Sequence, residues 1–233
     1  MLGASAVMVM LLMPLALTFL GTPPAAASAP LPSGAGEGAA ALRLNKAQAL
    51  RDPGFWSVAA PFALALTAQV GFIVHQIAFL DPILGRGGVG WAVAVTTSMA
   101  VIGRMGLGAV IDRLHQRRAS AVSFVSQALA LAAMTQTEST PLLLLACAVF
   151  GFSVGNLITF PALIIQREFD AASFGRLIAL STAIGQFTYA FGPGVVGLVR
   201  DLAGGYAPAL LACAALDIGA AIVILSRRSR PPV

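Results

Sequence analysis

Charge is what this sequence has least of. Only 10% of its 233 residues are Asp, Glu, Lys or Arg, where a soluble domain carries roughly 25%. So few charges cannot cover a water-facing globular surface, and 58% of the residues are hydrophobic. The combination excludes an ordinary soluble domain and implies a chain that crosses a membrane several times. Lysine is nearly missing: Lys46 stands against thirteen arginines, a bias that, with the Ala and Gly richness, suggests a GC-rich bacterial source. A pI near 10.2 does not mark a nucleic-acid partner here. The positive charges sit in short clusters between apolar runs, as topology signals do.

Reactive groups are equally thin. Cys147 and Cys213 lie in apolar runs without metal-ligand spacing, so they read as small buried hydrophobes, and neither a metal nor a cofactor is expected. There are two histidines, His75 and His115, and no glycine-rich phosphate loop, H-E-x-x-H or G-x-S-x-G. Nothing therefore supports an enzyme. Period-two alternation is missing too, which excludes a β-barrel.

Apolar length is what the chain has in quantity. A spanning helix needs roughly 20 apolar residues, and seven segments qualify: 1–21, 55–80, 87–111, 119–137, 141–165, 175–199 and 206–226. Such runs can hide their backbone polarity only as helices, so the expected class is all-α, a polytopic membrane helix bundle. Residues 22–52 are rich in Pro, Ala, Gly and Ser and then carry Arg43, Lys46 and Arg51, which reads as a flexible linker with a basic end. Asp52-Pro53 supplies a helix start, with Asp as N-cap and Pro at the first helical position. The expected organisation is a transmembrane helix 1–21, a cytoplasmic linker 22–52, a six-helix body 53–226 and a cytoplasmic tail 227–233. Segment 1–21, followed by P-A-A-A-S-A-P, has some marks of a signal peptide. However, no Lys or Arg precedes Arg43, so the basic start of such a peptide is missing.

Placing 22–52 in the cytoplasm and alternating sides puts eleven basic residues inside, Arg86 and Arg200 outside, and Arg104 within the membrane. That bias predicts a multi-pass inner-membrane protein with its N-terminus outside and its C-terminus cytoplasmic. A cleaved signal peptide would invert every loop. His75 and His115 then fall on opposite sides. A weak repeat supports a division into threes. G-A-V-I-D-R-L places Gly108 four residues before Asp112, and G-L-V-R-D-L places Gly197 four before Asp201. The first turn is cytoplasmic and the second external, so the two triplets read as inverted copies, the plan of many secondary transporters.

Gly103-Arg104, Gly108, Asp112-Arg113 and Arg117-Arg118 together resemble the charged signature between the second and third helices of each half of major facilitator superfamily transporters. R-D-P-G-F-W at 51–56 resembles the start of the seventh helix in the monocarboxylate and oxalate–formate type members. F-G-P-G-V-V-G-L-V-R-D-L-A-G-G-Y at 191–206 resembles their eleventh helix and outer turn. The resemblance covers roughly residues 43–226. It implies the C-terminal six-helix half of such a fold, a 3+3 inverted repeat, with 1–21 as one extra N-terminal helix equivalent to the sixth. The first half is then missing, as in a truncated gene. The implied function is secondary transport of a small organic anion, coupled to a proton or counter-anion. In the membrane the half would face either its missing N-terminal partner or a second copy. The rival expectation is a non-transporting seven-helix membrane protein, a sensor or assembly factor.

Arg104 lies seven residues before the end of its helix, about 10 Å at 1.5 Å per residue. A cation that deep costs roughly 2.5 kcal/mol or more unless it meets a partner or water. It reads as an anion contact or as a snorkelling side chain. The resemblance favours the first, because monocarboxylate transporters place an arginine in this helix along the substrate path. Their frequent acidic partner one turn earlier is Ala100 here. By the same resemblance, Asp112, Arg113, Arg117 and Arg118 form a gating turn whose aspartate meets a helix N-terminus of the other half. Read without it, they are a solvated loop. Asn156, Gln186 and Tyr189 are substrate-contact candidates because the family's tenth and eleventh helices border the cavity. His75 is a further candidate or a packed interfacial residue. Asp217 reads as a proton-coupling carboxylate or as a protonated or paired acid facing another helix. Gln69, Gln76 and Gln127 suit interhelical hydrogen bonds. Gly151 and Gly155 form a small-xxx-small face, and Pro61, Pro161 and Pro193 are expected to bend their helices.

Overall fold

Asp52-Pro53 starts the long helix as expected. A short helix α1 (Lys46–Arg51) precedes it, α2 runs Pro53–Val110, and Asp52 Oδ1 accepts the Gly54 N–H at 2.6 Å. The computed structural model describes residues 46–110 and 114–226. The expected helix 1–21, residues 22–45 of the linker, Asp112, Arg113 and the tail 227–233 lie outside the described residues.

Two limbs make up α2. Gly85 separates them with φ 65° and ψ 170°, a backbone region that glycine enters without a Cβ penalty. Pro82, three residues earlier, withholds one amide from the helical ladder. The loop expected between spans 55–80 and 87–111 is thus reduced to a single glycine, and each limb exceeds the roughly 20 residues of a span.

The remaining helices are α3 (Gln116–Met134), α4 (Thr140–Leu157), α5 (Phe160–Glu168), α6 (Ala171–Tyr189), α7 (Gly192–Ala203) and α8 (Tyr206–Ser226). Every regular element among the described residues is helical, which agrees with the all-α class. Three stretches, Pro53–Gly108, Thr140–Leu157 and Tyr206–Ser226, are long and apolar enough to cross a membrane. The expected spans 141–165 and 175–199 are both interrupted. The first breaks at Ile158-Thr159 and the second at Ala190-Phe191. Pro161 and Pro193 each sit in the first turn of the helix that follows, where a missing N–H leaves no ladder bond unmade.

The second limb of α2 meets α4 backbone to backbone. A Cβ on Gly151 would fall on the Thr96 carbonyl, one on Gly155 on the Ala100 carbonyl, and one on Gly103 on the Phe152 carbonyl. This is the close crossing expected of Gly151 and Gly155. The first limb meets α7 in the same manner at Gly71 and Gly192.

Two apolar clusters stack along the bundle. Phe72, Leu80, Leu131, Met134, Phe150 and Leu210 belong to one, with Phe72 edge-on to Phe150 at 4.7 Å. Phe55, Phe62, Phe124, Leu157, Phe160 and Ile224 belong to the other, with Phe62 edge-on to Phe124 at 5.2 Å. Where helices pass between clusters they carry buried polar residues: Gln127 on α3, Ser153 and Asn156 on α4, Asp217 on α8. The first limb of α2 and α8 run antiparallel. His75 meets Tyr206 at one end, while Ser57 and the Ile224 carbonyl share Arg117 at the other.

Candidate functional site

The first limb of α2, the α4–α5 break and α6 enclose a cavity of about 360 Å³, within the size range of small-molecule sites. Both helix interruptions border it. Ile158 and Pro161 line it at the first break, and Tyr189, the last residue of α6, lines it at the second. Phe62, Leu66 and Ile178 supply apolar wall, while Gln69, Ser181, Thr182, Gln186 and Tyr189 supply amides and hydroxyls. No lining residue is charged. Ile158, Thr182 and Gln186 are exposed and form its mouth, whereas Gln69 is buried and its Oε1 has no hydrogen-bond partner. Gly185 widens the space, because a Cβ there would approach Leu66 Cδ1 no closer than 3.8 Å.

Of the expected substrate contacts, Gln186 and Tyr189 come together in this cavity. The others do not line it. Asn156 precedes the lining residue Leu157, but its Nδ2 donates to the Phe152 carbonyl in its own helix at 3.2 Å, and its buried Oδ1 has no partner. His75 is half-buried at the far end of the limb. Its Nε2 lies 3.0 Å from the Pro193 carbonyl and its Nδ1 3.2 Å from the Tyr206 hydroxyl. A carbonyl only accepts, so Nε2 carries a proton, and in the neutral ring Nδ1 accepts from Tyr206. His75 thereby ties α2, α7 and α8 together.

Arg104 has a protein partner, since its Nε donates to the Gly155 carbonyl at 3.0 Å. The helix break explains why that carbonyl takes a side chain. In a continuous helix the Thr159 N–H would serve Gly155, but here it serves the Asn156 carbonyl at 3.2 Å. A cation at the end of α4 satisfies a terminal carbonyl and suits the negative end of the helix dipole.

The expected gating turn divides. Asp112 and Arg113 lie outside the described residues, and Arg118 is exposed. Arg117 is 5% exposed and grips Glu168 with two hydrogen bonds, Nε to Oε1 at 2.6 Å and Nη2 to Oε2 at 2.7 Å. Its Nη2 also donates to Ser57 Oγ at 2.9 Å, and Nη1 donates to the Ile224 carbonyl at 3.2 Å. One guanidinium therefore joins α2, α3, α5 and α8. Asp217 is fully buried, and neither carboxyl oxygen has a partner. Among the described residues there is no group of three or more His, Cys, Asp and Glu that could hold a metal ion.

Glu168, Ser57, Ser181 and Thr182 were not among the residues expected to carry function. Glu168, in Q-R-E-F-D at 166–170, carried a signal, being an acid just beyond an apolar run and facing a basic turn. The small hydroxyls carried none.

No protein-family model matches the chain, and no curated protein matches it.

Proposed function

We propose that this chain is the solute-binding half of a secondary transporter of the major facilitator kind, with the cavity between α2, the α4–α5 break and α6 as its solute site. The observation that carries the reading is the meeting of two interrupted helices at one largely apolar cavity that carries two amides and three hydroxyls. Interrupted helices are where secondary transporters place their midplane sites, because broken ladders free backbone groups and admit bending. The Arg117–Glu168 tie closes the bundle at one end, and the His75–Tyr206–Pro193 tie closes it at the other. Opening either would be the conformational half of a transport cycle. The organic-anion reading requires Arg104 to leave the Gly155 carbonyl and enter the cavity.

Single cysteines test the site in a bilayer, and the native background is low because Cys147 and Cys213 are buried. Gln186→Cys at the mouth should react quickly with a membrane-impermeant methanethiosulfonate reagent. Phe187→Cys, the next residue and 72% exposed on the bundle surface, should stay protected by lipid. Equal protection of both would show that no aqueous cavity exists there, and the reading would fail.

A further inference from the structure

We propose that the cavity takes an uncharged solute, a small molecule with an apolar body and a hydroxyl or carboxamide head, and that Gln69 reads the head. This rests on the cavity being the solute site and adds the chemical class. The wall carries two amides and three hydroxyls on an otherwise apolar surface, with no charged side chain. The cation that the sequence offers for an anion, Arg104, is held outside the lining on the Gly155 carbonyl. Gln69 is 4% exposed, and its Oε1 is shielded from solvent without a donor.

An unanswered buried amide is unfavourable, and a ligand that answers it gains that difference on binding. Gln69 lines the cavity, and a turn of its amide would bring the unpartnered oxygen, or the NH2 in its place, to a ligand there. A hydroxyl or carboxamide both donates and accepts, so it meets either orientation. A carboxylate fares worse. It would leave water for a wall with no cation, and neutral donors offset only part of that desolvation. The site should therefore take an alcohol and refuse the acid anion of the same shape, a discrimination that polar groups in a pocket achieve and apolar contacts do not.

Fluorine NMR on the full chain in lipid nanodiscs tests this with three probes of one body: 4-fluorobenzyl alcohol, 4-fluorobenzoate and 4-fluorotoluene at neutral pH. Empty nanodiscs give the partition baseline. The alcohol should show a saturable, protein-dependent shift that Gly185→Trp abolishes by filling the cavity. Benzoate should bind at least about ten-fold more weakly, and Gln69→Leu should weaken the alcohol about ten-fold and erase its advantage over toluene. Benzoate binding as tightly as the alcohol would overturn the uncharged class while leaving the cavity as the solute site. Toluene equalling the alcohol in the unmodified protein would overturn the role of Gln69 without recourse to a variant. If none of the probes shows a saturable signal, the solute site itself falls and the inference with it.

Discussion

Arg117 and Glu168 face each other as a fork, two parallel hydrogen bonds of 2.6 and 2.7 Å between side chains that are 5% and 7% exposed. They join the start of α3 to the end of α5 across 51 residues of sequence. Arg118, the next residue, is exposed. Successive helical residues point about 100° apart, so only one of two adjacent arginines can turn inward.

Removing one member of such a pair leaves the other buried and uncompensated, which costs roughly 3–5 kcal/mol. Glu168→Gln and Arg117→Met should each lower unfolding stability by that order in a denaturant titration of the detergent-solubilised protein. The double variant Arg117→Met with Glu168→Leu should recover most of the loss, because two apolar side chains replace two desolvated charges. A double variant as unstable as the sum of the singles would mean that the pair is not the source of the effect.

The α2–α4 crossing gives a prediction of opposite signs for one substitution. Gly155→Ala places a methyl on the Ala100 carbonyl, backbone against backbone with nowhere to yield, and should destabilise by about 1–3 kcal/mol. Gly106 lies one turn beyond the contact residue Gly103 on the same limb, and a Cβ there meets nothing within 4 Å. Gly106→Ala should stabilise by about 0.5–1 kcal/mol through reduced backbone entropy of the unfolded chain. Thermal unfolding of the two variants side by side decides it, and shifts of the same sign would count against the crossing.

What could be read in advance and what could not separate along a physical line. The helical class, the Asp52-Pro53 start and the Gly151/Gly155 face follow from local chemistry, and the described helices agree with them, whereas only three of the described stretches are long and apolar enough to cross a membrane. Pro161 and Pro193 signalled bends, yet the outcome is a full interruption in each case. The partner of Arg104 could not be read, because it exists only once the α4 ladder has ended and left the Gly155 carbonyl to be met. Gln69 looked like any other amide suited to a neighbouring helix. Its place on the cavity wall depends on how far α6 stands from α2, which no local pattern encodes.

Asp217 makes a third prediction. Its carboxyl group is fully buried with both oxygens unpartnered, flanked on α8 by the core residues Ala214 and Ala220. An unanswered buried polar group costs roughly 1–3 kcal/mol. Asp217→Leu should therefore raise the unfolding midpoint. A large loss of stability would show instead that the carboxyl group has a partner on which the helix packing depends.

Arg104 separates the two roles open to it through readouts that move independently. As a cap on α4 it acts through one donor, and glutamine retains an N–H that can approach the Gly155 carbonyl, while alanine retains none. Arg104→Ala should then lose about 1 kcal/mol of stability, Arg104→Gln should lose less, and neither should alter the saturable signal of 4-fluorobenzyl alcohol, because Arg104 does not line the cavity. As an anion contact it acts through charge, which glutamine lacks as completely as alanine does. Both variants would then abolish protein-dependent binding of 4-fluorobenzoate with equal effect and little change in stability. The ordering of Ala and Gln in the unfolding titration, set beside the benzoate signal, assigns the guanidinium to the helix end or to the solute.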